Sequence, residues 1–315
     1  MNSKNIFLAS LVALFAFFLL VYGETGFNLD LNLIWELRLP KVAVCVFAGG
    51  MLALAGLLMQ IFFQNPLAGP DILGVSSGSS LFVAFWMMAS VGFSQSIMDW
   101  GMSIMSFLGA MSVFFILVFL VNKNMSRVSL IITGLLISSF ASSGISILVS
   151  MSQALQLKNY LMWSMGSFRN VTTPELPRFL FLSLISTLPI LFFIKSLNQF
   201  LLSENYAKSM GVNVKRMRLV FVSVAALQIS VVTLFCGPIG FIGIISAHLA
   251  RQFLKRSQLS VLLPAVFFIG VILAFIAETI IVLTPTWSIS VNAILGLIGA
   301  PVIILYLYRQ RGWSL

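Results

Sequence analysis

In a chain of 315 residues, 60% apolar side chains, 8% charged ones and a mean hydropathy of +1.07 exclude a water-soluble domain and leave an integral membrane protein. The net charge of +10 is scattered over loops, with no basic helix or aromatic platform, and so excludes a nucleic-acid partner. Two cysteines and one histidine build neither a disulfide framework nor a zinc site nor a catalytic triad. No GxxxxGK[ST] loop is present, so any ATP that drives this protein binds to another chain.

Ten apolar segments follow one another, at about 6–22, 39–63, 72–90, 96–121, 129–151, 177–197, 215–236, 239–254, 260–283 and 289–308. Each is near the length that crosses a bilayer, and no alternating-strand pattern argues for a barrel. The expected fold is therefore all-α, with about ten transmembrane helices in a single membrane domain over residues 1–315. Lys4 precedes the first segment, but no convincing cleavage site follows, so it reads as a retained first helix rather than a signal peptide. Five of the eighteen basic residues, Arg38, Lys41, Lys158, Arg169 and Arg178, fall on the side opposite the N-terminus. The other thirteen share the side of both termini, which the positive-inside rule places in the cytoplasm.

After the first span, residues 24–37 alternate apolar and polar positions and fit an interfacial stretch anchored by Trp35. Arg38 and Lys41 flank Pro40, which suits the first turn of the second helix. The two cations fit either snorkelling charges at a membrane boundary or a cationic knob for an acidic partner outside. Gly49, Gly50, Ala53, Ala55 and Gly56 allow close helix approach and make the second span central. It ends in Gln60, Gln64 and Asn65-Pro66-Leu67-Ala68-Gly69-Pro70-Asp71, which cannot continue as lipid-exposed helix. The third span then opens on Gly74 and the hydroxyls of Ser76, Ser77, Ser79 and Ser80, facing helix neighbours or an aqueous path.

Ser138, Ser139, Ser142, Ser143 and Ser146 in the fifth span suit helix packing or a hydrated path. Residues 153–177 have helical character near Leu155–Met165, followed by Gly166, Ser167 and Arg169. The longest polar run is 198–218. Ser203 is an N-cap, Glu204 sits in the first turn, Gly211 stands at a left-handed C-terminal position, and Asn213 caps a second helix. About two amphipathic turns are too short to be stable alone. Spacing leaves open whether they lie on lipid headgroups, drawn by Lys208, Lys215, Arg216 and Arg218, or dock on a partner. Cys45 and Cys236 read as apolar filler, and fifteen methionines as adaptable packing rather than metal ligands. Glu278 is the one acid well inside a span and is read as structurally paired.

The run RLPK, then AGGMLALAGLLMQIFFQNPLAGPDILGVSSGSS, closely resembles the signature of the iron-siderophore, haem and cobalamin permeases, the FecCD or BtuC type of ABC-importer transmembrane subunit. Three further stretches fit the same family in the same order: Ser203 to Ala207 with Gly211 and Arg218, Gly237 to Gly243 with His248 and Arg251, and Gly296 to Pro301. The resemblance covers essentially the whole chain.

It implies a type II ABC importer permease fold in a bacterial inner membrane. Two such subunits, identical or related, form the pathway, two cytoplasmic ATPases that use ATP and Mg drive it, and a periplasmic or lipid-anchored binding protein delivers the chelate. This chain itself then binds no cofactor and no metal and is not an enzyme. Coupling helices at about 199–213 would seat in the ATPase through Ser203, Glu204, Ala207, Gly211 and Arg218. Arg38 and Lys41 would meet acidic groups of the binding protein, and the pathway or gate is expected at Ser76, Ser77, Ser139, Ser143, Met165 and Gly166. Ala247 replaces a proline of many relatives, and Val282 stands where some place another outward-facing arginine. Ferric siderophore is the expected cargo, with haem and cobalamin open. The competing class is an ion-coupled secondary transporter, which usually carries several intramembrane ionisable groups where this chain has essentially one.

Overall fold

Long apolar runs satisfy their backbone in lipid by becoming helices, and this chain is helical almost throughout. The computed structural model describes residues 3–23, 26–27, 30–90, 95–202, 204–255, 258–287 and 289–311. Helix α1 covers Ser3–Val21 and is followed by a two-residue hairpin, β1 Tyr22–Gly23 with β2 Gly26–Phe27, antiparallel with Tyr22 opposite Phe27. Then come α2 Leu31–Leu33, a π turn at Ile34–Arg38, α3 Leu39–Phe63, a 3-10 turn at Pro70–Leu73, α4 Val75–Ala89, α5 Gln95–Asn122 and α6 Arg127–Ser150. The second half holds α7 Ala154–Ser164, α8 Leu176–Leu202, α9 Glu204–Ser209, α10 Val214–Cys236, α11 Ile242–Leu254, α12 Leu259–Leu283 and α13 Val291–Arg311.

All ten expected segments are helical, but they do not all cross as helix. Among the described residues, seven helical runs are long and apolar enough to span: Ser3–Val21, Leu31–Phe63, Trp100–Asn122, Arg127–Ser150, Leu176–Leu201, Val214–Cys236 and Leu259–Leu283. The apolar part of α13 runs Val291–Tyr306. The segments expected at 72–90 and 239–254 are shorter than the sequence implied. The 15 residues of α4 and the 13 of α11 rise about 22 and 20 Å, against a hydrocarbon core of about 30 Å. Their missing length is taken by the Pro70–Leu73 3-10 turn before α4 and the non-helical stretch Gly237–Phe241 before α11. Pro40 stands in the first turn of α3, as expected, and the π turn before it makes Leu31–Phe63 one continuous helical run.

Helix α3 is the hub, packed on α12, α10, α11 and α8. Its expected small residues, Gly49, Gly50, Ala53, Ala55 and Gly56, are all buried. Along this helix another backbone approaches most closely at Gly56, where an added Cβ would stand 2.1 Å from the Gly243 carbonyl oxygen of α11. Helix α6 rests on α4 and on the Pro70–Leu73 turn; at Gly134 an added Cβ would stand 1.9 Å from the Ile72 carbonyl oxygen. Helix α1 is peripheral. It packs mainly on α12, and its first residues are tied by Lys4 Nζ donating to Phe253 O of α11 at 2.6 Å and by Asn5 Nδ2 donating to Val261 O of α12 at 3.0 Å.

Backbone contacts this tight leave no route for relaxation, so Gly134→Val is expected to cost ~3 kcal/mol or more. The exposed Leu136→Val should change stability by less than about 0.5 kcal/mol. Thermal melting of purified protein in detergent, followed by size-exclusion profile, distinguishes the two.

Candidate functional site

The polar stretch 198–218 resolves into three pieces. Residues through Leu202 extend α8, α9 is the short Glu204–Ser209 helix, and α10 begins at Val214, so the separate piece is shorter than the 199–213 read from the sequence. Ser203, expected as its N-cap, lies outside the described residues. Gly211 takes the left-handed conformation (φ +82°), and the Asn213 side chain accepts from Arg216 N at 3.0 Å, both as the sequence predicts.

The Glu204 side chain turns back toward the bundle. Its carboxylate accepts from Arg218 Nη2 of α10 at 2.7 Å and from Arg127 Nη2 at the first residue of α6. All three side chains are only about a fifth exposed, so water screens this bridge less than an ordinary surface pair. Ala207 is fully buried. Glu204, Ala207 and Gly211, expected on one docking surface, are therefore separated. The first two fasten α9 to the bundle, while Asn205, Tyr206, Lys208, Met210 and Gly211 face outward. Nothing in the sequence distinguished Arg127 from the other basic loop residues.

Away from α9, one free helix face differs from the rest. On α6, Ser139, Ser142, Ser143 and Ser146 repeat at i, i+3, i+4 and i+7 and are exposed beside Leu136 and Phe140. The outward faces of α1, α5 and α8 present instead side chains such as Phe17, Phe115 and Phe192. Ser76 and Ser77 do not share the α6 face. They sit in seams, Ser76 Oγ at 3.5 Å from Thr233 Oγ1 of α10 and Ser77 Oγ donating to Ser138 Oγ of α6 at 3.1 Å. On α13, Leu297, Ala300, Pro301 and Ile304 are likewise uncovered.

Beside α13 the backbone leaves helix. The stretch Gly237–Phe241 ends on Phe241 at φ +67°, a strained conformation for a side chain of that size. Asn292, at the start of α13, satisfies its polar groups. Its Nδ2 donates to Pro238 O at 2.8 Å and to Met165 O at 3.1 Å, and its Oδ1 accepts from Gly240 N at 3.0 Å. Ser167 N donates to Cys236 O at 2.8 Å. Met165 is exposed and Gly166 buried at φ +71°, so this predicted pair marks the joint between α7 and the broken segment. Asp71 is exposed on the facing turn, with Oδ2 3.5 Å from where a Cβ of Gly240 would stand. Deeper in, Arg251 Nη1 donates to Gln60 Oε1 at 2.6 Å, and buried His248 lies against Tyr306 with ring centroids 4.0 Å apart. Asn292 was missed in the sequence, although a lone amide at the start of an apolar span was a legible signal.

At the end opposite α9, Glu278 is fully buried and structurally paired, as expected. Its Oε1 accepts from Arg169 Nε at 2.6 Å and lies 3.5 Å from Lys41 Nζ. The expectation of an exposed cationic knob at Arg38 and Lys41 is corrected: they are 4% and 8% exposed. Arg38 donates to the Leu20 and Val21 carbonyls at 3.0 and 2.7 Å, closing the C-terminus of α1 where a cation complements the dipole. Both cations, with Glu36 and Arg169, border a cleft of about 330 Å3. Val282 is also buried, so its position is no part of an outer surface. Among the described residues no three His, Cys, Asp or Glu side chains group as a metal site, and Cys45 and Cys236 are buried free thiols.

The family model described as the FecCD transport family matches residues 5–309. The vitamin B12 import system permease protein BtuC of Photorhabdus laumondii is 30% identical over 299 residues, covering 93% of this chain and 85% of its own length. The hemin transport system permease protein HmuU of Yersinia pestis is 29% identical over 284 residues, 88% of this chain and 84% of its own. A solved metal-chelate type ABC transporter in an inward-facing conformation superposes with a TM-score of 0.86 at 27% identity, covering 97% of this chain and 98% of that one.

Glu278→Gln removes the charge shared by the buried Lys41 and the partly exposed Arg169 and is expected to cost ~3 kcal/mol. Glu278→Leu combined with Lys41→Leu should recover part of that loss. Asn292→Leu, which leaves three backbone groups without their partner, should cost ~2 kcal/mol. Melting temperatures of the four proteins in one detergent check these values.

Proposed function

Because the chain belongs to the FecCD transport family, we propose that it forms the pathway of an ATP-driven importer of iron chelates, ferric siderophore first and haem or cobalamin next. It is a multi-pass membrane permease of the ABC importer type. Two such subunits, identical or related, meet across the uncovered faces of α6 and α13. Two ATP-binding subunits engage the α9 end, and a binding protein, periplasmic or lipid-anchored, delivers cargo at the other. The α9 end and both termini are cytoplasmic, a placement supported by the excess of Lys and Arg there. Hydrolysis of ATP with Mg takes place in the partner subunits, and this chain contributes no catalytic group.

The observation that carries this reading is the double bridge on Glu204. A six-residue helix is too short to be stable alone. Here it is bolted through one carboxylate to the bases of two helices, α6, which bears the hydroxyl stripe, and α10, which ends at the broken segment. Motion of an ATPase against Tyr206, Lys208 and Met210 thus reaches the pathway through Arg127 and Arg218, while Glu204 itself need not touch the ATPase. Ser139 and Ser143 line the path, and Met165, Gly166 and Asn292 shape its mouth. Arg38 and Lys41 contribute to binding-protein capture by setting the positive potential of the cleft they border rather than by forming an exposed knob.

Uptake of labelled ferric siderophore into vesicles bearing the assembled transporter should require ATP and the partner ATPase. Glu204→Gln should lower uptake about tenfold, a coupling loss of ~1.4 kcal/mol, while the ATPase stays bound. Gly211→Pro, which cannot adopt φ +82°, should release the ATPase as well. Uptake driven by an ion gradient in vesicles lacking the ATPase overturns the proposal.

A further inference from the structure

Helices α5 and α8 both pack on α10 and leave a cleft of about 450 Å3 between them, at the end of the bundle opposite α9. Its walls are Ile104, Phe107 and Leu108 of α5 and Phe181 of α8, all exposed, and its floor includes Leu234 of α10. From Trp100 at the rim to Leu108 the cleft descends about 12 Å along α5. It opens on faces that are apolar throughout, so its surroundings are hydrocarbon and not water. A cleft of this kind in a membrane is filled by chain.

The rim specifies more than an acyl chain. Arg178 is exposed, with its guanidinium carbon 4.9 Å from the centroid of the Trp100 ring, and tryptophan at the edge of an apolar face marks headgroup depth. Three residues earlier, in the turn just before α8, stands Glu175, which lines the same cleft. Its Oε2 accepts from Thr172 N at 3.1 Å and Thr172 Oγ1 at 2.9 Å, which fixes the carboxylate at the rim. One cation and one anion side by side above an apolar slot are complementary to a headgroup that carries a phosphate and an amine. A headgroup with only negative charge would meet Glu175 unfavourably.

We propose that this cleft is a phospholipid site, with one acyl chain between α5 and α8, the phosphate against Arg178 and the ammonium of an ethanolamine headgroup against Glu175. The site also has a task. Trp100, Ser103, Glu175 and Leu234 border a second chamber of about 750 Å3, whose walls include Asn159, Ser167 and Asn170. The bound headgroup closes this polar chamber against the hydrocarbon beside it.

Native mass spectrometry of the assembled transporter, offered phosphatidylethanolamine and phosphatidylglycerol in equal amounts, tests the site. The wild type should retain one phosphatidylethanolamine per permease chain, favoured about threefold to fivefold, the size of one exposed charge contact. Leu108→Trp, at an exposed position that tolerates bulk, should fill the cleft and lose both lipids while melting normally in lipid-free detergent. Arg178→Ala should lose retention of both, whereas Glu175→Gln should keep a lipid and lose the headgroup preference, a change that a merely structural role would not produce. Equal retention of the two lipids by the wild type, preference for phosphatidylglycerol, or retention unchanged in Leu108→Trp overturns the proposal.

Discussion

The structure depends on one constraint: a peptide group placed in hydrocarbon must find its hydrogen bond inside the protein. Most of the chain obeys by being helix. Where it stops being helix, in the stretch before α11, the bonds come from side chains on other elements, while the turn before α4 closes its own through Ile72 N to Gly69 O and Gly74 N to Asp71 O. Asn292 serves Pro238, Gly240 and Met165 at once, and Gln60 Nε2 reaches the Ile244 carbonyl at 3.4 Å while Arg251 holds its oxygen. These contacts let the interior contain irregular backbone, and irregular backbone is where exposed polar groups such as Asp71 can stand near mid-depth.

A second consequence is mechanical continuity. From α9 the Glu204 bridge leads to the first residue of α6, and seven residues along α6 the backbone of Gly134 touches the backbone of Ile72. The next residue back in that turn, Asp71, faces Gly240 of the broken segment. The first two junctions are a charge-assisted hydrogen bond and a backbone contact with no side chain between, neither of which yields much under load, and the last is a carboxylate side chain facing a glycine. On the proposed function this is the shortest physical line between the motor and the path.

The spans were legible in the sequence because lipid imposes a composition that chance does not produce over twenty residues. Gly49 to Gly56 could be recognised as the centre because small residues have little other use there. The shortness of α11 was not legible, since Ile239 and Phe241 are as apolar in an extended chain as in a helix. The fate of Arg38 and Lys41 was hidden for a different reason. A cation beside an apolar span reads as surface unless its partners are known, and those partners, the end of α1 and Glu278, lie 17 and 237 residues away. Partnership across the bundle also explains why Arg127 escaped notice, while Glu278 was read correctly because an acid in hydrocarbon has few alternatives to pairing.

The placement of α1 bears on how the molecule is made. Helix α1 rests on α11 and α12, made about 250 residues later, through bonds from Lys4 and Asn5 to Phe253 and Val261. At about 5–20 residues per second, the ribosome needs roughly 10–50 s to produce the intervening chain. During that wait α1 has lipid on every side, and a helix apolar all around can endure it without aggregating in water. Helix α1 therefore docks only after α11 and α12 are made, and Arg38, which closes its C-terminus early, holds it beside the growing bundle until its berth exists.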